Sequence, residues 1–232
     1  MATRALLGLL AAQQGDTSDH RLHAAGAVTV TNKGISFIPA ITLGKPAAIL
    51  DVAIGRNGWS FAPQFRWALE GRPWSFIFWG RYRFATGDRF HLVVGAHPAV
   101  VFKTISTELV ARRYFATELA PSYTLARHLD VGAYYFYGKG IDQESIQHTN
   151  MIAARAWLTN IPIARDFALH FAPQLYYLTM DGDDGVYVSS TLSLSHRKLP
   201  VSLASLVTEP IQSDIPGGQE FLWNVSLVYS IR

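Results

Sequence analysis

Between Gly58 and Ala85 the chain reads GWSFAPQFRWALEGRPWSFIFWGRYRFA, and apolar residues recur at every second position. Trp59, Phe61, Pro63, Phe65, Trp67 and Leu69 form one set, and Ser60, Ala62, Gln64, Arg66, Ala68 and Glu70 the other. Side chains alternate across a strand with period two, so the segment predicts a strand with one aromatic face and one small or polar face. After the turn sequence Glu70-Gly71-Arg72-Pro73 the alternation resumes. Trp74, Phe76, Phe78, Gly80, Tyr82 and Phe84 fall on one face, with Ser75, Arg81 and Arg83 on the other. A soluble hairpin of this length would hide its aromatic face under a second layer. Almost every later segment offers the same kind of face, which leaves no complementary layer. Lipid satisfies all of these faces at once. The pattern predicts an all-β chain forming a single transmembrane antiparallel up-and-down β-barrel.

The same reading places strands at 35–43, 47–55, 59–69, 74–84, 90–102, 113–126, 129–137, 151–159, 167–178, 186–196, 201–208 and 221–231, about twelve in all. Most approach the ~9–11 residues that a tilted strand needs to cross a bilayer. Residues 24–31 could pair as a further short strand before the turn Asn32-Lys33-Gly34, which would change the count. Counted back from the last strand, the connections alternate between long and short, with 70–73 and 44–46 as exceptions. Such alternation is the habit of bacterial barrels, whose outer loops are long and periplasmic turns short.

A weak repeat, apolar-x-Pro-x-apolar, surrounds Pro39, Pro63, Pro121 and Pro173, with a looser copy at Pro98. Each proline falls in the outward phase in mid-strand, where it removes a ladder donor. Bulges or locally unpaired positions accommodate such prolines. The sharper alternative is a weakened seam where another outer-membrane protein docks.

Composition narrows the picture further. Hydrophobic residues make up 49% of the chain, yet no run approaches the ~18 apolar residues of a spanning helix. The net charge of +3 is small and its Lys and Arg are scattered, which offers nucleic acid no patch. There is no cysteine, hence no disulfide and no thiolate metal site. Residues 1–14 carry Arg4 and then a short apolar run, resembling a secretory signal with a small-residue cleavage region. Residues 15–34 read as a lead-in and 35–232 as the barrel.

The final segment places Phe221, Trp223, Val225, Leu227, Tyr229 and Ile231 on one face. This resembles the C-terminal signature of Gram-negative outer-membrane β-barrel proteins, small porin-like barrels among them. The chain departs from that signature by ending in Arg232. The resemblance implies the cell outer membrane as location and the lipid bilayer as partner.

With aromatics toward lipid, the alternate phase faces the lumen. It holds Asp51, Gln64, Arg66, Arg81, Arg83, His91, His97, Arg112, Glu118, Arg155, His170 and Gln174, together with Tyr114, Trp157 and Tyr176. Outward charges, at Arg72, Arg113, Arg127 and His196, fall near strand ends, where their cost in lipid is smallest. Trp59, Trp67, Trp74, Tyr82, Tyr137, Tyr177, Trp223 and Tyr229 are expected in the two interfacial girdles.

Two functions compete for this lumen. In one, Arg66, Arg81, Arg83 and Arg155 pair with Asp51, Glu70 and Glu118, plugging a structural or assembly-partner barrel. In the other, the excess of arginine lines a narrow porin-like channel that favours small anions. A third class, a lipid hydrolase or acyltransferase, needs a Ser–His pair on one face. At i, i+2 the only such pair is Ser18 and His20 in the lead-in, and nothing in the sequence favours a cross-strand pair made by His97 or His170. The reading is therefore a non-enzyme without cofactor or metal. The loop Asp181-Gly182-Asp183-Asp184-Gly185 lacks the calcium-loop spacing, and His91 and His97 are ~20 Å apart along a strand. A soluble lipid carrier would have to fit all these aromatics inside a barrel too narrow for them.

Overall fold

The computed structural model describes residues 22–84 and 87–231. The signal-like segment 1–14 and residues 15–21 of the lead-in lie outside the described residues. The strands are β1 (His23–Thr31), β2 (Ala47–Arg56), β3 (Trp59–Ala68), β4 (Pro73–Phe84), β5 (Phe90–Ile105) and β6 (Glu108–Ala126). They continue with β7 (Leu129–Gly140), β8 (His148–Ala164), β9 (Phe167–Met180), β10 (Asp183–His196), β11 (Val201–Ser213) and β12 (Leu222–Ile231). Each pairs antiparallel with its sequence neighbours, and β1 closes on β12 from Gly26↔Ile231 to Thr31↔Ser226. A closed ladder leaves no backbone edge in lipid, which is the condition for crossing a membrane with strands.

The alternation of β3 falls as the pattern predicts. Trp59 and Phe61 are exposed on the outside, while Ala62, Arg66 and Ala68 are buried inside. Around the barrel, Phe115, Leu175, Leu203 and Trp223 likewise face outward, so the exterior is an apolar band suited to acyl chains. Trp59, Tyr82 and Tyr229 lie toward one rim of that band, and Trp67, Tyr137, Tyr177 and Trp223 toward the other.

The strand count is as expected, but its membership differs. Residues 35–43 do not form a strand, and β1 replaces them in the ladder, so the barrel begins at His23 instead of Ile35. The cause is visible in ISFIPAI. Ile38 and Ala40 occupy the phase that should be polar, so the segment is apolar on both faces and favours burial on all sides. The connection 32–46 accordingly folds into the lumen as a tight loop. It is closed by an isolated bridge between Ile35 and Thr42, with Gly34 N donating to Lys45 O at 2.8 Å and Leu43 N to Gly34 O at 2.8 Å.

Short connections 57–58, 127–128, 165–166 and 197–200 lie at the end that holds both chain ends of the ladder. Long connections 32–46, 141–147 and 214–221 lie at the opposite end, together with the short 69–72, 106–107 and 181–182. By the usual disposition of such barrels the first end is periplasmic and the second outer. Of residues 103–112, expected as a loop, only 106–107 are a turn and the rest are strand: β5 spans 16 residues and β6 19, so their hairpin projects beyond the bilayer at the outer end.

The mid-strand prolines leave a consistent mark. The β2–β3 ladder jumps from Asp51↔Gln64 to Ile54↔Phe61 across Pro63. The β4–β5 ladder skips at Pro98, β6–β7 at Pro121 and β8–β9 at Pro173. On its other side each proline stays in register, opposite Phe78, Phe115, Leu92 and Ser190 respectively. The strand is kept because only one side of it asks for the missing N–H. Pro39 belongs to the inward loop instead.

Trp74 is a correction to the girdle. The β3–β4 register shifts at Arg66/Trp67, so Trp74 becomes an extra residue that turns inward and is buried.

Candidate functional site

All twelve residues expected in the lumen lie in the inward phase of their strands, but they do not form one site. His91 lies near the periplasmic mouth. Arg112 lies at the outer mouth, where it pairs with Glu144. The others divide into a charged cluster, a smaller polar pair and a wall of hydrogen-bonded side chains.

The charged cluster is built on β4, β6, β7 and β8. Arg81 donates through Nε to Glu118, and its Nη2 lies 3.5 Å from the second carboxylate oxygen. Tyr134 donates to that same oxygen at 2.8 Å. The Arg155 guanidinium stacks 3.8 Å from the Tyr134 ring centroid, and the Arg81 guanidinium 3.9 Å from that of Trp79. Both carboxylate oxygens of Glu118 are thereby occupied, and Arg155 Nε has no hydrogen-bond partner among the described residues. Asp51 accepts from Gln64. Arg66 reaches Ser36 of the inward loop at 3.4 Å and lies over Trp74. Glu70, expected among the lumen ion pairs, is instead exposed at the outer rim beside Lys45 and Arg72.

The inward loop is anchored by Phe37. Its ring meets Trp79, Phe136 and His97 edge-on, with centroids at 5.6, 5.2 and 5.9 Å. Ile38 and Ala40 join Ile77, Met151, Tyr176, Leu178 and Tyr187 in a buried apolar cluster, to which Ile215 of 214–221 also belongs. The outer half of the lumen is thus packed with apolar side chains. Sequence reasoning missed this cluster because β4 and β7 carry aromatics in both phases. Ile77 and Trp79 interrupt the polar face of one, and Tyr134-Tyr135-Phe136-Tyr137 offers no polar phase at all.

The periplasmic half is different. Facing the bulky strands, β10–β12 present Ser189, Thr191, Ser193 and Ser195, then Ser202, Ala204 and Thr208, then Ser226 and Ser230. These small groups leave a cavity of about 300 Å³ beneath Ser36, Phe37 and Pro39, bounded by Arg155, Trp157, His170, Gln174, Ser189, Thr191 and Ser193. A second cavity of about 220 Å³ lies beside it, lined by Thr29, Asp51, Ala204 and Ser226 and sharing Thr191 and Leu206 with the first. The alternating Ser-x-Thr-x-Ser-x-Ser of β10 was the signal for this wall.

The structure does bring a Ser–His pair together. His170 Nε2 lies 3.1 Å from Ser195 Oγ across β9–β10. Its Nδ1 accepts the backbone N–H of Asn160 at 3.3 Å, so in the neutral ring the proton resides on Nε2 and is donated to Ser195. Ser195 in turn donates to Ala168 O at 3.3 Å. A serine nucleophile needs the reverse arrangement, an unprotonated nitrogen accepting from its hydroxyl.

Outside the membrane, Asp142 takes hydrogen bonds from the side chain and backbone N–H of Arg113, which hold its carboxyl below the usual carboxylate range. The Asp181 turn serves β8, accepting from Gln147 N at 2.8 Å and His148 N at 2.7 Å.

A closed twelve-strand ladder with an apolar exterior, short turns at one end and a polar, arginine-bearing interior defines a class. The chain has the architecture of an integral outer-membrane β-barrel. No family model matches the sequence, and no curated protein matches it. Solved structures match in fold. The NanC porin is 12% identical, covers 88% of this chain and 97% of its own, and has a TM-score of 0.53. An outer membrane channel from Pseudomonas putida F1 is 9% identical, with coverage of 93% and 97% and a TM-score of 0.52. LpxR from Salmonella typhimurium is 7% identical, with coverage of 89% and 99% and a TM-score of 0.50. At these identities the likeness is one of fold.

Proposed function

We propose that the protein is a narrow outer-membrane channel for small solutes, favouring anions, and held closed at its outer end by the loop 32–46. One observation carries this reading: an incompletely filled half-lumen, lined by Ser, Thr, Gln and Arg side chains among apolar ones, directly beneath that loop. A barrel serving only as a scaffold gains by filling such space with apolar side chains, because polar groups facing a void must be hydrated. The inward phase places Arg66, Arg81, Arg83 and Arg155 against Asp51 and Glu118, a positive balance that favours anions. A porin and an outer membrane channel among the solved structures of similar fold support the reading by analogy. The tautomer of His170 gives hydrolysis no support.

The second reading, a permanently plugged structural or assembly-partner barrel, draws on the apolar packing around Phe37. Planar-bilayer recording separates the two, using the native chain and a variant with 35–41 replaced by a Gly-Ser linker of equal length. The channel reading expects a native protein that is nearly silent and a variant that conducts, with a reversal potential displaced toward that of chloride in a salt gradient. A silent variant that remains a folded barrel supports the plugged reading.

A further inference from the structure

We infer that the larger lumen cavity is a binding site for a small organic monoanion, a carboxylate on a compact apolar body. This deepens the channel reading and rests on it for the periplasmic route of access.

Charge comes first. Among the described residues no Asp or Glu lines the cavity, and Arg155 is the one arginine that does. Its natural partner, Glu118, is taken by Arg81 and Tyr134, so the guanidinium stacks on Tyr134 with Nε unsatisfied. A guanidinium held by ring stacking, with Nε unbonded, is incompletely satisfied, and an anion in the cavity would give its other N–H groups an acceptor. Arginine presents donors in a planar fork that matches a carboxylate in two bonds.

Register supplies the neighbours. Arg155 is directly opposite Gln174 in the β8–β9 ladder, and Gln174 is directly opposite Ser189 in β9–β10. The three therefore form a row at one level of the lumen: guanidinium, amide, hydroxyl. Gln174 Nε2 donates to Ser189 Oγ at 2.8 Å, leaving the serine O–H to donate elsewhere. Above and beside this row are Phe37, Pro39 and Trp157. Apolar walls suit a ligand whose remainder is apolar. They disfavour a phosphate dianion, whose second charge would find no second arginine or lysine on the lining. The volume of about 300 Å³ is at the small end of ligand sites, which run to ~1,000 Å³.

The test uses the full chain in detergent micelles, benzoate as probe and benzamide as its uncharged counterpart, followed by calorimetry. Benzoate is expected to bind, and benzamide roughly tenfold or more weaker, as befits a charge-assisted pair. Arg155→Gln is expected to lose at least about tenfold in benzoate affinity, with Arg155→Lys between it and the native protein. Thr191→Phe fills the cavity without touching Arg155 and is expected to abolish binding. It decides the matter should Arg155→Gln not form a barrel by its electrophoretic shift on heating. Absence of benzoate binding, equal binding of benzamide, or affinity unchanged in Thr191→Phe overturns the site. A conducting linker variant without benzoate binding removes the site and leaves the channel. Benzoate binding with a silent linker variant does the opposite.

Discussion

Glu118→Ala is expected to be the most destabilising single substitution in the lumen, by about 3–5 kcal/mol. Glu118 and Arg81 are both buried, and the carboxylate is held by that arginine and by Tyr134. Its removal leaves the Arg81 charge without its counter-ion and the Tyr134 hydroxyl without an acceptor, each a desolvation cost that nothing repays. The midpoint of urea unfolding, followed by tryptophan fluorescence in micelles, should fall steeply. The double variant Arg81→Met, Glu118→Leu should recover most of the loss, since apolar replacement of a whole buried pair is often neutral. A single variant with an unchanged midpoint would show the cluster to be well hydrated, and the lumen to be wetter than its packing implies.

Phe37→Ala is expected to have the largest effect on conduction of any single change. The ring contributes the edge-on contacts to Trp79, His97 and Phe136 that fasten the inward loop. Truncating a packed phenylalanine costs about 3 kcal/mol or more, so the ratio of released to docked loop should rise about a hundredfold. Openings that are rare in the native protein should become frequent in planar bilayers, and protease sensitivity within 35–41 should rise with them. Phe37→Leu, which keeps much of the apolar contact, should fall between. If the loop becomes protease-sensitive while the barrel stays silent, closure belongs to the apolar cluster on the barrel wall.

These expectations rest on features of unequal legibility in the sequence. The barrel was readable from β3 alone, because a strand between lipid and a polar lumen needs opposite chemistry on its two faces. The inward loop was not, because ISFIPAI has the length and apolarity of a strand, and only Ile38 and Ala40 in the polar phase speak against it. β1 was undervalued because His23-Ala24-Ala25-Gly26-Ala27 is small on both faces and carries almost no alternation. Trp74 turned inward through a one-residue bulge, which moves a side chain to the other face without changing composition. The Ser195–His170 pair and the Arg155–Gln174–Ser189 row depend on inter-strand register. Period two places residues on a face but does not say which neighbour stands opposite.

The central claim is that aromatics face lipid and the serine wall faces water. The chain has no cysteine, so single substitutions Phe61→Cys, Leu175→Cys, Ser193→Cys and Ser226→Cys can each carry one spin label in lipid vesicles. Collision with dissolved oxygen, concentrated in the bilayer, and with a water-soluble nickel chelate should then sort the four sites. The account predicts oxygen-dominated relaxation at 61 and 175, and its absence at 193 and 226. Nickel access at 61 and 175 with oxygen-dominated labels at 193 and 226 would contradict it.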